Sequence, residues 1–254
     1  MVDEKDIIEL DIKKEWIEEA EKNSENMGVL KGSITKGEGN LAAFIGETAV
    51  SEYLKYKRTN IHLDKNDEDE NIFHYDMFDR KKRKVEVKTK RCTSVPLPEY
   101  ATSICNDNIL QQCDYYLFTR VDIKRNKVWL LGWLEKIDYF KDAKFCIKNE
   151  KDPDRSNWLF KRDCWNRYIR ELNKISDLKK DVVLSDHTDW DIINEKIREI
   201  TIPKKIEEMK KKDERLQRDK DKHLAQLSKI EDDWFDELAK KNKLIWKPKK
   251  FITN

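Results

Sequence analysis

Two runs near the middle of the chain, 113–121 (CDYYLFTRV) and 127–134 (KVWLLGWL), constrain the fold more than any other feature. Both are rich in aromatic and branched residues, the composition of strands, and a charged turn, DIKRN, joins them. Upstream, 12–22 (IKKEWIEEAEK) carries Ile12, Trp16, Ile17 and Ala20 at helical spacing. In 40–56 (NLAAFIGETAVSEYLKY), Leu41, Phe44, Ile45, Thr48, Ala49 and Leu54 fall mainly on one side of a second helix, with Asn40 as its N-cap. Two short runs, 72–78 (IFHYDMF) and 84–90 (KVEVKTK), read as strands; the basic link from Asp79 to Arg83 has hairpin length but no Gly. Residues 164–178 (CWNRYIRELNKISDL) read as helical. The order of elements predicts a mixed α/β domain through residue 178.

The remainder has a different composition. Trp190, Ile193, Ile197 and Ile200 give an amphipathic helix after Ser185 or Asp186, and Pro203 opens a very charged segment. Its apolar residues, Ile206, Met209, Leu216, Leu227, Ile230 and Trp234, recur in steps of three, four or seven, interrupted by Asp213, Lys220 and His223. A coiled coil and a helical hairpin both satisfy that pattern.

Charge excludes less than it first suggests. The 53 Lys and Arg nearly cancel the 51 Asp and Glu, so a wholly basic coat is ruled out but local basic faces are not. No apolar run approaches the roughly 18 residues of a membrane span. Five widely spaced cysteines without a CxxC pair, and four histidines without metal-ligand spacing, argue against a zinc site or disulfide framework and for idle thiols in a cytoplasmic interior. Five of the six Gly crowd between Gly28 and Gly46. Gly32 to Gly37 has GxxxxG spacing, but Glu38 and Gly39 follow in place of Lys and Ser/Thr, so a Walker phosphate cradle is rejected.

The acids in the predicted hairpin are better candidates. If it turns about Lys81, Asp76 sits across from Glu86, and period-two alternation puts Glu86, Lys88 and Lys90 on one face. Adjacent carboxylates repel, and a hard divalent ion such as Mg²⁺ relieves that repulsion through oxygen ligands. Lys88 would then project beside the ion. Acid-x-Lys or acid-x-Arg triplets recur by chance in so charged a chain, Asp11-Ile12-Lys13 and Asp122-Ile123-Lys124 among them. Context distinguishes Glu86-Val87-Lys88: a valine-flanked strand, a preceding strand with an isolated Asp, and a helix with a Gly-Glu pair before both.

That ordered set, GEGNLAAFIGETAVSEYL (37–54), YD (75–76) and VEVKTK (85–90), resembles the PD-(D/E)xK nuclease superfamily, restriction-endonuclease-like and of phage or bacterial type. The resemblance implies an α/β fold with an αβββαβ core and mixed sheet over 28–178, preceded by a helical segment 1–27 and followed by a charged helical extension 179–254. It implies that Asp76, Glu86 and Lys88 are the motif acids and lysine, and that Glu47 is the acid supplied by the first core helix. Tyr75 stands where the motif has Pro. Gln111 and Gln112 precede Tyr115 and Tyr116 in a QxxxY-like spacing, from which Gln112 is carried over as a site residue.

The function expected from the resemblance is Mg²⁺-dependent hydrolysis of DNA phosphodiester bonds by an endonuclease, with Mn²⁺ able to substitute. Asp76, Glu86, Glu47 and the Val87 carbonyl would hold the metal, and Lys88 would position the water. Lys90 and Asn40 are candidate contacts to nucleic acid. So are Lys247 and Lys249 in the acid-free tail 240–250 (KKNKLIWKPKK). The partner is DNA, with RNA also allowed, no membrane, and a homodimer through the C-terminal helices. The rival is a non-catalytic nucleic-acid-binding or assembly protein on the same fold.

Overall fold

The structure, a computed structural model, describes residues 1–28, 39–59, 75–109, 111–152, 158–180 and 190–242, excepting the side chains of 190, 191, 231, 232 and 234–242. The stretch 32–37, residues 72–74 of the strand expected at 72–78, the caps Ser185 and Asp186, and Lys247 and Lys249 lie outside the described residues. In chain order the elements are β1 (Ile8–Asp11), α1 (Lys14–Met27), α2 (Asn40–Leu54), β2 (Lys57–Arg58), β3 (Met77–Phe78), β4 (Lys84–Arg91) and β5 (Ala101–Cys105). There follow β6 (Tyr115–Asp122), β7 (Lys127–Glu135), α3 (Lys136–Asp142), β8 (Lys144–Cys146), β9 (Cys164–Tyr168) and α4 (Trp190–Asn242). The chain forms two units, Met1–Lys205 and Ile206–Asn254.

The first unit is mixed α/β. Its main sheet has six strands in the order β1-β7-β6-β4-β3-β2, with β4 and β6 parallel and the other neighbours antiparallel. Alternation along β6 and β7 divides two apolar cores between the sheet's faces. Tyr115, Leu117, Val128, Leu130 and Trp133 pack with Trp16, Phe44, Ile45 and Val50 of α1 and α2. Tyr116, Phe118, Trp129 and Leu131 face the other way, toward Tyr139 and Phe140 of α3 and Trp165 of β9. That second layer includes a three-stranded antiparallel sheet, β5-β9-β8.

The 79–83 turn works without glycine because one carboxylate organises it. Asp79 Oδ1 accepts the amides of Lys81 (2.8 Å) and Arg83 (3.0 Å), while Lys82 adopts the left-handed conformation at φ 61°. The register, Met77 opposite Val85 and Phe78 opposite Lys84, turns the hairpin about Lys81 as expected.

Several expectations are corrected. Residues 1–27 are not a separate helical segment: β1 pairs with β7, and Trp16 and Ala20 of α1 are buried in the first core. Residues 164–178 are strand β9 and two 3-10 turns, Ile169–Glu171 and Ile175–Lys179, rather than a helix. Asn40 opens α2 but does not cap it; Gly39 holds the cap position and the Asn40 amide donates to Gly28 O at 2.9 Å. The first unit also extends past residue 178, because Ile193 and Ile197 of α4 sit in the second core. Lys204 donates to the carbonyls of Phe140, Lys141 and Ala143, satisfying acceptors that the end of α3 leaves open. From Pro203 the chain continues as helix to Asn242 instead of folding into a hairpin, and Ile206, Met209, Leu216, Leu227 and Ile230 are exposed along it. Among the described residues no helix is long and apolar enough to cross a membrane.

One glycine sets the distance between α2 and the sheet. A Cβ on Gly46 would lie 2.3 Å from Thr89 Oγ1 and 2.6 Å from Thr119 Oγ1, so only a hydrogen atom fits there. Those two hydroxyls bond each other at 2.8 Å across β4 and β6. Gly46→Ala gains about 1 kcal/mol of helix propensity but forces overpacking that costs roughly 1–3 kcal/mol and breaks the threonine pair. The expected net result is a melting temperature lower by roughly 2–6 °C in thermal unfolding; an unchanged or higher value would contradict the close approach.

Candidate active site

Beyond Val85 the strands β3 and β4 part. The Val87 N–H, left without a strand partner on that side, donates to Asp76 Oδ2 at 2.7 Å. Asp76 is thereby fixed against the open edge of β4, next to Glu86. Glu47, carried one residue after Gly46 on the face that α2 presses toward the sheet, completes an acidic group. Glu47 and Glu86 are 6% and 7% exposed, which makes both charges costly unless partnered.

Two cations answer the three acids. Lys88 Nζ donates to Glu86 Oε1 at 2.7 Å and lies 6.0 Å from the centre of the Tyr116 ring. Arg58, from β2, stands 3.5 Å from Glu47 Oε2 and also bonds Glu19 and Thr48. Burial is the first cause that lifts the Glu86 carboxyl to about 7, and the Asp76 charge adds to it; Lys88 and a hydrogen bond from Gln111 pull the other way. Burial also raises Asp76, opposed first by the Val87 amide, and it pushes Glu47 well up together with the Asp76 charge, against Arg58. The three acids therefore titrate as one interacting set.

No family model matches the chain, and no curated protein does. The site rests on its own geometry.

The structure brings Asp76, Glu86, Glu47 and Lys88 together, with Val87 at the centre through its amide. It does not bring Gln112 to them. Gln112 is exposed, whereas its neighbour Gln111 is buried and donates Nε2 to Glu86 Oε1 at 2.8 Å. Lys136, buried at the start of α3, donates to the Gln111 carbonyl and pins that turn. Lys90 pairs with buried Asp152 at 3.1 Å. Arg58 and Lys136 were missed by sequence reasoning, and Gln112 was taken in place of its neighbour Gln111: nothing marks one cation among 53, or one of two adjacent glutamines. A cavity of about 290 Å³ opens beside Lys88, lined by Lys90, Arg120, Lys161 and Arg162, with Asp152 as its one acid.

Among the described residues no three His, Cys, Asp or Glu side chains are drawn into a ready-made metal cage. The donor chemistry nevertheless fits a hard divalent cation: every acidic ligand is an oxygen, and buried Glu47 Oε2 makes no hydrogen bond.

The raised carboxyls dictate how stability depends on pH. In the folded chain Glu86 keeps its proton up to about pH 7, whereas unfolded it releases that proton near its ordinary 4.5. The folded state thus binds more protons in this window, and stability falls as pH rises through it. In EDTA, the melting temperature should drop by roughly 5–10 °C between pH 5 and pH 8, and Glu86→Gln should flatten the drop. A wild-type profile flat over that range, or an unaltered one in the variant, contradicts a buried protonated Glu86.

Proposed function

We propose that this chain is a metal-dependent nuclease that hydrolyses DNA phosphodiester bonds, most simply as an endonuclease. The observation that carries the reading is the convergence of Asp76, Glu86 and Glu47 with Lys88 where β3 leaves β4. The strand order β6-β4-β3-β2, antiparallel except for β4 with β6, together with α2 ahead of it, supports a restriction-endonuclease-like core. Besides Tyr75 in place of the motif Pro, the resemblance departs between β4 and β6: among the described residues, β5 and a 3-10 turn (Asn106–Asn108) stand where that core has a helix.

In this reading Asp76, Glu86, Glu47 and the Val87 carbonyl would hold Mg²⁺ or Mn²⁺, which would supply charge neutralisation at the phosphoryl oxygens and a lowered pKa for water. Lys88 holds the attacking water in line and stabilises charge growing on the phosphoryl group. Water attacks phosphorus and the 3′-oxygen leaves, giving a 5′-phosphate and a 3′-hydroxyl. Gln111 and Lys136 keep Glu86 in position. The cationic wall of Lys90, Arg120, Lys161 and Arg162 provides counter-charge for flanking phosphates. The exposed apolar row on α4 gives the second unit a surface for pairing with another copy of itself.

One observation favours a second reading, a nucleic-acid-binding protein without hydrolysis: Lys88 and Arg58 already neutralise two of the acids. Plasmid cleavage separates the two. Nicking or linearisation is expected with Mg²⁺ or Mn²⁺ and not with EDTA, and Lys88→Ala should slow it by about 10²-fold or more. DNA retention without cleavage in any metal supports the second reading, and cleavage untouched by Lys88→Ala removes Lys88 from the chemistry.

A further inference from the structure

Three of the five cysteines stand in a single row across the small sheet. Cys105 is opposite Cys164 in the β5–β9 pair, and Cys146 is opposite Cys164 in the β8–β9 pair. The neighbouring row, Ile104, Trp165 and Phe145, packs into the second core. By strand alternation the three thiols occupy the opposite face, where Cys146 and Cys164 pack with Phe160. Cys105 and Cys164 also line the cavity that opens beside Lys88.

The hydrogen bonding of the β5–β9 pair says how close two of these thiols are. The Asn106 amide donates to the Asp163 carbonyl at 2.9 Å, so Asn106 and Asp163 are the hydrogen-bonded pair and Cys105 and Cys164 are the non-hydrogen-bonded pair next to it. Backbones in such a pair approach to about 4.5 Å between α-carbons, inside the span of roughly 4.4–6.8 Å that a disulfide bridges. Both cysteines are thiols in this structure.

We propose that Cys105 and Cys164 form an oxidant-reactive dithiol that closes to a cross-strand disulfide, with a hydroperoxide as the oxidant. Cys105 is the attacking sulfur, because it is half-buried at the cavity while Cys164 and Cys146 are buried. The adjoining Cys164 thiol, foremost, brings the Cys105 thiol down to about 7, with the Arg162 charge assisting and burial and the Asp107 charge opposing. The same contact pushes Cys164 up, leaving it the proton-bearing partner. Arg162 is itself tied to Asp107, whose carboxylate lies 3.8 Å from Cys105 Sγ, and the Cys164 thiol rests on the Arg162 carbonyl at 3.3 Å.

The chemistry balances in two steps. The Cys105 thiolate attacks the terminal peroxide oxygen; the O–O bond breaks, a sulfenic acid forms, and the departing alkoxide or hydroxide takes up a proton. The Cys164 sulfur then attacks Cys105 sulfur, the S–O bond breaks, and hydroxide leaves with the Cys164 proton as water. Two thiols lose two electrons and the peroxide gains them. Cys146, on the far side of Cys164, has no comparable access to the oxidant.

The test is one equivalent of hydrogen peroxide added to the reduced full-length protein, followed by alkylation of remaining thiols, intact mass measurement and peptide mapping. The expected result is loss of the mass of two hydrogen atoms, three of five thiols still alkylated, and a peptide joining Cys105 to Cys164. Reduction with a dithiol should restore all five. Cys164→Ser should instead trap Cys105 as a sulfenic acid that dimedone captures, and Cys105→Ser should take up no peroxide at Cys164. A bridge from Cys164 to Cys146, a bridge involving Cys92 or Cys113, or five thiols surviving the treatment would each overturn the proposal. The wild-type peptide map decides it even if a serine variant fails to fold.

Discussion

Three carboxylates placed within each other's field, largely out of water, form the constraint around which the first unit is arranged. Unit charges about 4 Å apart at an effective dielectric near 20 interact by roughly 4 kcal/mol, a large part of the roughly 5–15 kcal/mol by which a folded domain is stable. Such a cluster needs protons, protein cations or a metal ion. Without a metal the chain uses the first two: Glu86 retains its proton toward neutrality, and Lys88 and Arg58 lean against Glu86 and Glu47. A fold under selection for stability alone would leave these acids in solvent. Their concentration at one strand edge is what favours a reading in terms of function.

The cluster depends on two backbone features that contain no charge. The parting of β3 and β4 frees the Val87 amide, which then holds Asp76. The missing side chain at Gly46 lets α2 lie against Thr89 and Thr119, so the next residue reaches the acids at the strand edge. Gly132 serves similarly on the far side of the sheet: a Cβ there would meet Leu172 Cβ at 2.6 Å and the Asn173 carbonyl at 2.7 Å. That close approach lets Trp133 and Asn173 exchange backbone hydrogen bonds at 2.9 and 3.0 Å, which ties the 3-10 turns to β7.

What was legible in the sequence was whatever local spacing determines. The β6 and β7 strands follow from their aromatic and branched residues, α2 from its apolar spacing, and the Asp76–Glu86 juxtaposition from a hairpin turning about Lys81. Residues 164–178 misled for an instructive reason. Ile169, Leu172, Ile175 and Leu178 are all buried, but they recur every three residues, the period of 3-10 turns, which is easily taken for the 3.6 of an α-helix. Strand β9 depends on pairing with β5 and β8, and a five-residue strand flanked by other strands leaves no periodic trace of its partners. The choice of Gln111 over Gln112 is likewise tertiary, set by Lys136 on the Gln111 carbonyl and by Glu86 on its amide. Arg58 is found only once β2 is seen beside α2.

The most direct measurement of the central claim is a crystal of the wild-type protein soaked in Mn²⁺ at pH 8, examined by anomalous scattering. The result predicted is one anomalous peak within ligand distance of the carboxylates of Asp76 and Glu86, with Lys88 drawn away from Glu86. Density without a peak, and Lys88 still bonded to Glu86 at saturating Mn²⁺, would contradict it.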